Sequence, residues 1–346
     1  MTNGHLTHPE DLLLSGGAPG GILAIELLRK MTKTPSELTI KYDGYPALIF
    51  GRNLDGQFGI MDKHMFNKRD GTGRKIFSPR MFVEYDLHRG ANRQSLWETV
   101  ENIWDSLEYQ FGNNVGYVWG DLLFSKPLDA QNGIFRFRAN PNGMVYEIKE
   151  HSSLGKAVAN KLAGIVVHQS IPASAVSVDE ANPVSSKLKQ GDVLILSPNL
   201  PIVPKVGNIE PVLTQLKAHC GKLSSITLFN DAPTGFAQFL MGFANYVVKT
   251  GDLEKLMEKL HQYATMKAVT YIDMLDQAEL SSVLTLWAQL MTVKNILVNQ
   301  IDKQMVNSPI VAKLDNGKIA HEGYVGFGVK FVNRFGFSKQ NFAGNS

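Results

Sequence analysis

Apolar and polar residues alternate through Leu38, Ile40 and Tyr42, and an unbroken apolar run follows at residues 47–50. A period of two predicts strands, so this stretch reads as two strands joined at Gly44-Tyr45-Pro46. Ahead of it, residues 7–33 follow a helical pattern with Thr7 as its cap, interrupted by the glycine-rich run at 15–21. Short strands dominate residues 38–204, with helices expected near 96–110 and 153–161, and Asn113 to Gly116 turns the chain into the strand that holds Asp121. From about residue 209 to 305 the pattern becomes helical, and no Gly or Pro falls between Gly251 and Pro309. There Leu280, Val283, Leu284, Trp287, Leu290, Met291, Leu297 and Ile301 recur at three and four residues, the spacing of one apolar helix face turned to a core. The fold class expected is α+β: antiparallel sheets built from residues 1–205, an all-helical insertion at 206–306, and a closing hairpin within 307–346.

Several segments invite chemistry. The run at 15–21 resembles a phosphate loop in glycine content but lacks the Gly-Lys-Ser/Thr ending, and reads as a flexible break between two helices. Lys41-Tyr-Asp-Gly44 places a lysine at a strand end, beside an acid and just before a tight bend, where an amine can lean over a pocket. A plain hairpin with an exposed lysine is the alternative. Between Met61 and Met81, Lys63, His64, Lys68, Arg69, Arg74, Lys75 and Arg80 are interleaved with Phe66 and Phe77. Such cations neutralise phosphates and exposed aromatic rings stack on unpaired bases; a solvated basic loop is the alternative.

Near the far end, Glu322-Gly-Tyr-Val325 precedes an apolar strand containing Lys330. If Gly326-Phe327-Gly328 forms the turn, Tyr324 faces Lys330 and Glu322 faces Val332, which makes Glu322 and Lys330 a diagonal pair about 7–8 Å apart. Tyr117-Val-Trp-Gly-Asp-Leu-Leu-Phe124 and Met144-Val-Tyr-Glu-Ile148 lie between the two ends. Together and in this order, these segments resemble the motifs of the covalent nucleotidyltransferases, the superfamily of ATP-dependent DNA ligases, RNA ligases and mRNA capping enzymes.

The resemblance implies a ligase-like core in which Lys41 becomes covalently linked to a nucleotide. It implies ATP and Mg²⁺ as cofactors, Asp43 orienting Lys41 or a metal-bound water, and Glu322, with Asp43, as metal ligand. Asp121, in place of the usual glutamate, would hydrogen-bond the ribose, and Tyr146 belongs to the segment that stacks on the base. Gly44 and Arg52 complete the nucleotide-binding set, Arg52 substituting for an arginine displaced by Pro46. Lys330 would neutralise the α-phosphate, because a lysine amine, titrating near 10.4 in isolation, attacks only when deprotonated or held beside other cations. The partner implied is a 5′-phosphate end of RNA or DNA, for which Lys63, Lys68, Arg69, Arg74 and Lys75 of the basic segment are the candidate cations; the helical insert stays open between gripping the polynucleotide, covering the nucleotide and holding a protein partner.

The chain departs from the family pattern in three places. Val332 stands where a second late lysine is common, which leaves Arg334 or Lys339 to reach in. Thr39 stands where an acid commonly reads the adenine. Only residues 331–346 follow Lys330, too few for the OB-fold that DNA ligases and capping enzymes place there, so the expected architecture leans toward RNA ligases. Transfer to another acceptor, use of GTP, and a silent nucleic-acid-binding protein stay open as alternatives.

Composition adds bounds. The 346 residues carry a formal charge of only +3, so nucleic-acid affinity must come from local patches. A single cysteine, Cys220, excludes an internal disulfide and suits a reducing cytoplasm, the expected location. No signal sequence is expected at residues 1–10, nor an apolar run near 18 residues. The histidines lack metal-ligand spacing; His168 reads as a strand-end residue with a structural hydrogen bond or a place in the cleft.

Overall fold

The computed structural model describes residues 6–42, 44–67, 74–140, 144–183, 188–223, 233–313 and 323–335. The fold is α+β, and the chain forms two compact units. One is helical and joins Met1–Lys41, Leu200–Ser308 and Ala320–Ser346; the other is sheet-rich and joins Tyr42–Asn199 with Pro309–Ile319.

In the helical unit, α1 (Asp11–Lys33) packs against α6 (Glu210–Leu223), α7 (Phe236–Thr250) and α9 (Gln277–Gln304). The stripe expected on α9 is core: Leu280, Val283, Leu284, Trp287, Leu290, Met291, Leu297 and Ile301 are all buried. The glycine-rich run does interrupt the helix: at Gly17 the backbone leaves helical geometry, at φ 58° and ψ −144°, and α1 is two helical stretches joined across that kink. Thr7 does not cap the helix; Glu10 stands before Asp11, and the Thr7 carbonyl accepts a hydrogen bond from the Lys330 amide. By length and composition alone α1 is long and apolar enough to cross a membrane, and most of it is buried inside the fold, as in a core helix. Gly21 of α1 lies so close to Cys220 that a Cβ there would meet its Sγ at 2.4 Å. Burial pushes the Cys220 thiol up to about 11, which leaves it a packing residue.

The helical unit also holds a small sheet in the order β1 (Thr39–Ile40), β12 (Tyr324–Gly326), β13 (Val329–Phe331). The strands flanking Gly44-Tyr45-Pro46 therefore do not form a hairpin. β1 pairs with β12, whereas β2 (Ala47–Arg52) enters the sheet of the other unit.

The sheet-rich unit is built on the order β10 (Val193–Leu196), β8 (Ala163–Ile171), β4 (Gly116–Phe124), β2, β3 (Phe58–Met61), with β9 (Asn182–Pro183) also on β8. Against the expectation of purely antiparallel sheets, β10 runs parallel to β8. Helix α4 (Gln94–Phe111) sends Val100, Ile103, Trp104, Leu107 and Phe111 into the core with Phe50, Phe58 and Ile60. A second sheet runs β11 (Val311–Lys313), β7 (Val145–Lys149), β6 (Ile134–Arg138), β5 (Ala130–Gln131), all antiparallel. Asp86, fully buried, anchors the loop ahead of α4 by accepting from Arg89, Arg93 and the Trp97 indole.

Candidate functional site

The early lysine motif and the late Gly-Tyr-Val motif are neighbours. Thr39 pairs with Val325 and Ile40 with Tyr324, and the Lys41 amide donates to the Gly323 carbonyl at 2.9 Å. On the other side of β12, Val325 pairs with Lys330 and Tyr324 with Phe331. Because side chains alternate along strands, Thr39, Lys41, Val325 and Lys330 share one face, which is half-buried. Ile40, Tyr324 and Phe331 form the buried face, where the Tyr324 hydroxyl donates to Asp302 of α9 at 2.6 Å.

This register corrects the sequence expectation by one residue. The turn is the two-residue Phe327-Gly328, with φ of 56° and 79°, and not the three-residue Gly326-Phe327-Gly328. Positive φ at both central positions matches the twist of a tight hairpin. Lys330 therefore lies opposite Val325 instead of Tyr324. Glu322 and His321 lie outside the described residues, as do Asp43, Lys68, Arg69 and Lys339.

Beside this sheet the ring of His8 is held neutral. Its pKa is well below the usual imidazole value, first because of burial and then because Lys294, Arg334, Lys330 and Lys41 repel a further positive charge. The His8 Nδ1 is shut off from solvent with no hydrogen-bond partner among the described residues. Arg334 does not reach toward Lys330 as a second cation. Its guanidinium is buried on Asp11 at 2.8 and 3.0 Å and on Asn245 at 2.8 Å, in a network that also joins Glu10 to Lys294 and Asp11 to the Trp287 indole. Thr39 donates its hydroxyl to the Val325 carbonyl.

In the sheet-rich unit, Gly44 packs against the Asp121 strand. A Cβ there would lie 2.5 Å from the Leu122 carbonyl oxygen and 2.7 Å from the Asp121 Cβ, so any larger residue forces the neighbouring strand to shift. Asp121 Oδ2 lies 3.1 Å from His168 Nε2, and both side chains are partly open to solvent. Tyr146 is buried, stacked on Phe137 at 5.3 Å and tilted against Tyr42 at 5.9 Å. Arg52 is engaged elsewhere, by the Gly112 and Gly56 carbonyls and by Glu108 at 2.9 Å.

The described part of the basic segment divides by role. The Lys63 ammonium lies 5.7 Å from the Trp119 ring, and Lys75 is exposed. Arg74 donates to the Ala175 carbonyl and covers Phe66, so its guanidinium is bound into the fold. Phe66 is fully buried against Tyr117 and offers no ring for base stacking.

Lys41 and Lys330 thus lie on one face of this sheet, on opposite sides of β12. Among the described residues no group of three or more His, Cys, Asp or Glu side chains is placed to hold a metal, and both expected Mg²⁺ ligands, Asp43 and Glu322, fall outside them. The residue that sequence reasoning left undecided is His168. Its signal is a β-bulge, which no pattern of hydrophobicity announces.

Neither a curated protein nor a solved structure matches the chain. A family model does match, across residues 3–345, and the chain belongs to the Family of unknown function (DUF6267).

Proposed function

We propose that this chain is an ATP-dependent polynucleotide ligase, with RNA ends as the favoured substrate, acting through a covalent lysyl-AMP intermediate on a ligase-like core. The observation that carries the reading is the pairing of β1 with β12, which sets Lys41 and Lys330 on one half-buried sheet face. A solvated lysine far from other cations would have no such arrangement. In the first step Lys41 Nζ attacks the α-phosphorus of ATP and loses a proton. The N–P bond forms, the bond from that phosphorus to the bridging oxygen breaks, and pyrophosphate leaves with the electron pair. Lys330 sets a positive charge opposite the phosphates as negative charge builds on them. Mg²⁺, when bound, would neutralise phosphate charge, with Asp43 and Glu322 as its proposed ligands. AMP then passes to a 5′-phosphate, and a 3′-hydroxyl displaces it to seal the strand. Lys63 and Lys75 are the described cations proposed to meet the polynucleotide.

Intact-mass measurement after incubation with ATP and Mg²⁺ tests the first step. An added mass of one AMP, absent in Lys41→Ala, is the expected result. No adduct with any nucleoside triphosphate would instead favour a silent nucleic-acid-binding protein. Offering the loaded protein 5′-phosphorylated RNA, DNA and hybrid duplexes side by side identifies the strand chemistry.

A further inference from the structure

The alternation along β6 and β7 does more than build a core. Phe135 and Phe137 of β6 and Tyr146 and Ile148 of β7 are buried, so Arg136, Arg138, Glu147 and Lys149 turn to the opposite face of the sheet. Strand β11 continues the pattern: Ala312 is buried, and Val311 and Lys313 share the outer face, opposite Glu147 and Val145. Glu147 is the hub of this face. It accepts from Arg136 Nε on β6 at 2.9 Å and from Lys313 on β11. Its partial burial opposes ionisation, but the contacts with Lys313 and Arg136 outweigh that and hold its carboxyl below the usual range. One carboxylate balances only one of the two cations it holds. Lys149 adds a third positive charge, exposed, and Arg138 lies on the same face.

Like charges gathered on one sheet face repel one another, and exposed ion pairs add little to stability, so the surplus of cations has no use in holding the strands together. It suits an outside anion. We propose that the outer face of β6, β7 and β11 is a docking surface for the phosphate backbone of a nucleic-acid duplex, held without regard to base sequence. Neighbouring strands lie about 4.8 Å apart and alternate residues of one strand about 6.8 Å apart, so the cations form a close grid. A duplex offers the matching density, with one negative charge per about 1.7 Å of its axis. The aromatic side chains of these strands, Phe135, Phe137 and Tyr146, are all on the core side, so the face presents charge without the stacking platform that single strands use. Ile134, Val145 and Val311, its apolar residues, are half-buried and do not project as a lipid anchor would. The surface needs no nucleotide chemistry, and it is formed by different residues from the basic segment at 63–80.

The test is fluorescence anisotropy of labelled RNA and DNA duplexes of mixed sequence, titrated with the full chain across a salt series. Arg136→Gln with Lys149→Gln should weaken binding about tenfold at low salt and reduce the salt slope by about two units, at an unchanged melting temperature. Should the pair lower the melting temperature, Lys149→Gln alone, at an exposed position, should still remove about one unit of slope. A charge-matched control, Lys255→Gln with Lys267→Gln in the helical unit, should leave affinity and slope as they were. Equal losses in the control, or parent-like binding and slope in the Arg136 and Lys149 variants, overturn the surface. So does a parent that binds no duplex, or that binds single strands or anionic vesicles more tightly than duplexes. None of these outcomes bears on adenylylation of Lys41, which is read by mass.

Discussion

Lys41 and Gly323 are joined by a backbone hydrogen bond of 2.9 Å, which ties the start of the lysine motif to a strand from the other end of the chain. Strand β12 is therefore the shared spine of both lysines, with β1 on one side and β13 on the other.

If Lys330 stabilises charge only as the phosphate reacts, Lys330→Ala should slow adduct formation by about 10²-fold or more, with little loss of ATP affinity. Single-turnover labelling with ATP measures the rate, and Lys330→Arg should recover part of it. An Ala variant that loads at the original rate removes Lys330 from the chemistry.

Gly44→Ala forces a methyl group into the Leu122 carbonyl and the Asp121 Cβ. The chain must shift to admit it, so stability should fall by roughly 1–3 kcal/mol. Urea unfolding reads this directly. Ala at Gly56, where nothing lies within 4 Å but φ is 79°, is the control for backbone strain without a clash.

The two described cations at 74 and 75 should separate under mutation. Lys75→Glu should weaken polynucleotide binding and flatten its salt dependence by about one unit of slope, without changing the melting temperature. Arg74→Ala, which loses the Ala175 hydrogen bond and the cover over Phe66, should lower stability by about 1–2 kcal/mol. Fluorescence anisotropy across a salt series and thermal unfolding distinguish the two effects.

His8 gives the fold a pH dependence of known sign. Its folded pKa is depressed, so below about pH 6.5 the unfolded chain takes up a proton that the folded chain refuses. Stability should therefore hold above that pH and decline as pH falls, until the folded-state pKa is passed. His8→Gln should flatten the decline. Denaturation midpoints between about pH 5 and 8 provide the measurement.

Much of this architecture could be read from residue patterns, and the exceptions have physical causes. The α9 stripe was legible because it repeats over many turns, and a period of 3.6 sustained that long points to little besides an amphipathic helix. The pairing of β1 was not, since it is only 2 residues long and its partner comes from the far end of the chain. Alternation at Leu38, Ile40 and Tyr42 correctly set Lys41 apart from the buried face, yet local sequence suggested the next strand as its neighbour. The hairpin turn was misplaced by one residue because glycine flanks Phe327 on both sides, and only the positive φ of Phe327 shows which pair turns. Arg52 and Arg334 looked available in sequence, but carbonyls and carboxylates around them claim their guanidinium groups. The His168 bulge, where β8 carries one residue more than β4, had no signal in the hydrophobic pattern.

The network that joins Glu10 and Asp11 to Lys294, Arg334 and Trp287 makes the amino-terminal strap a component of the interior it leads into. Trimming the polypeptide past Asp11, by limited proteolysis for example, would strand a lysine and an arginine among apolar helices without counter-ions. Each such orphaned charge costs roughly 3–5 kcal/mol, comparable to the whole margin by which a small domain stays folded. Glu10 and Asp11 are therefore the ballast on which the helices close.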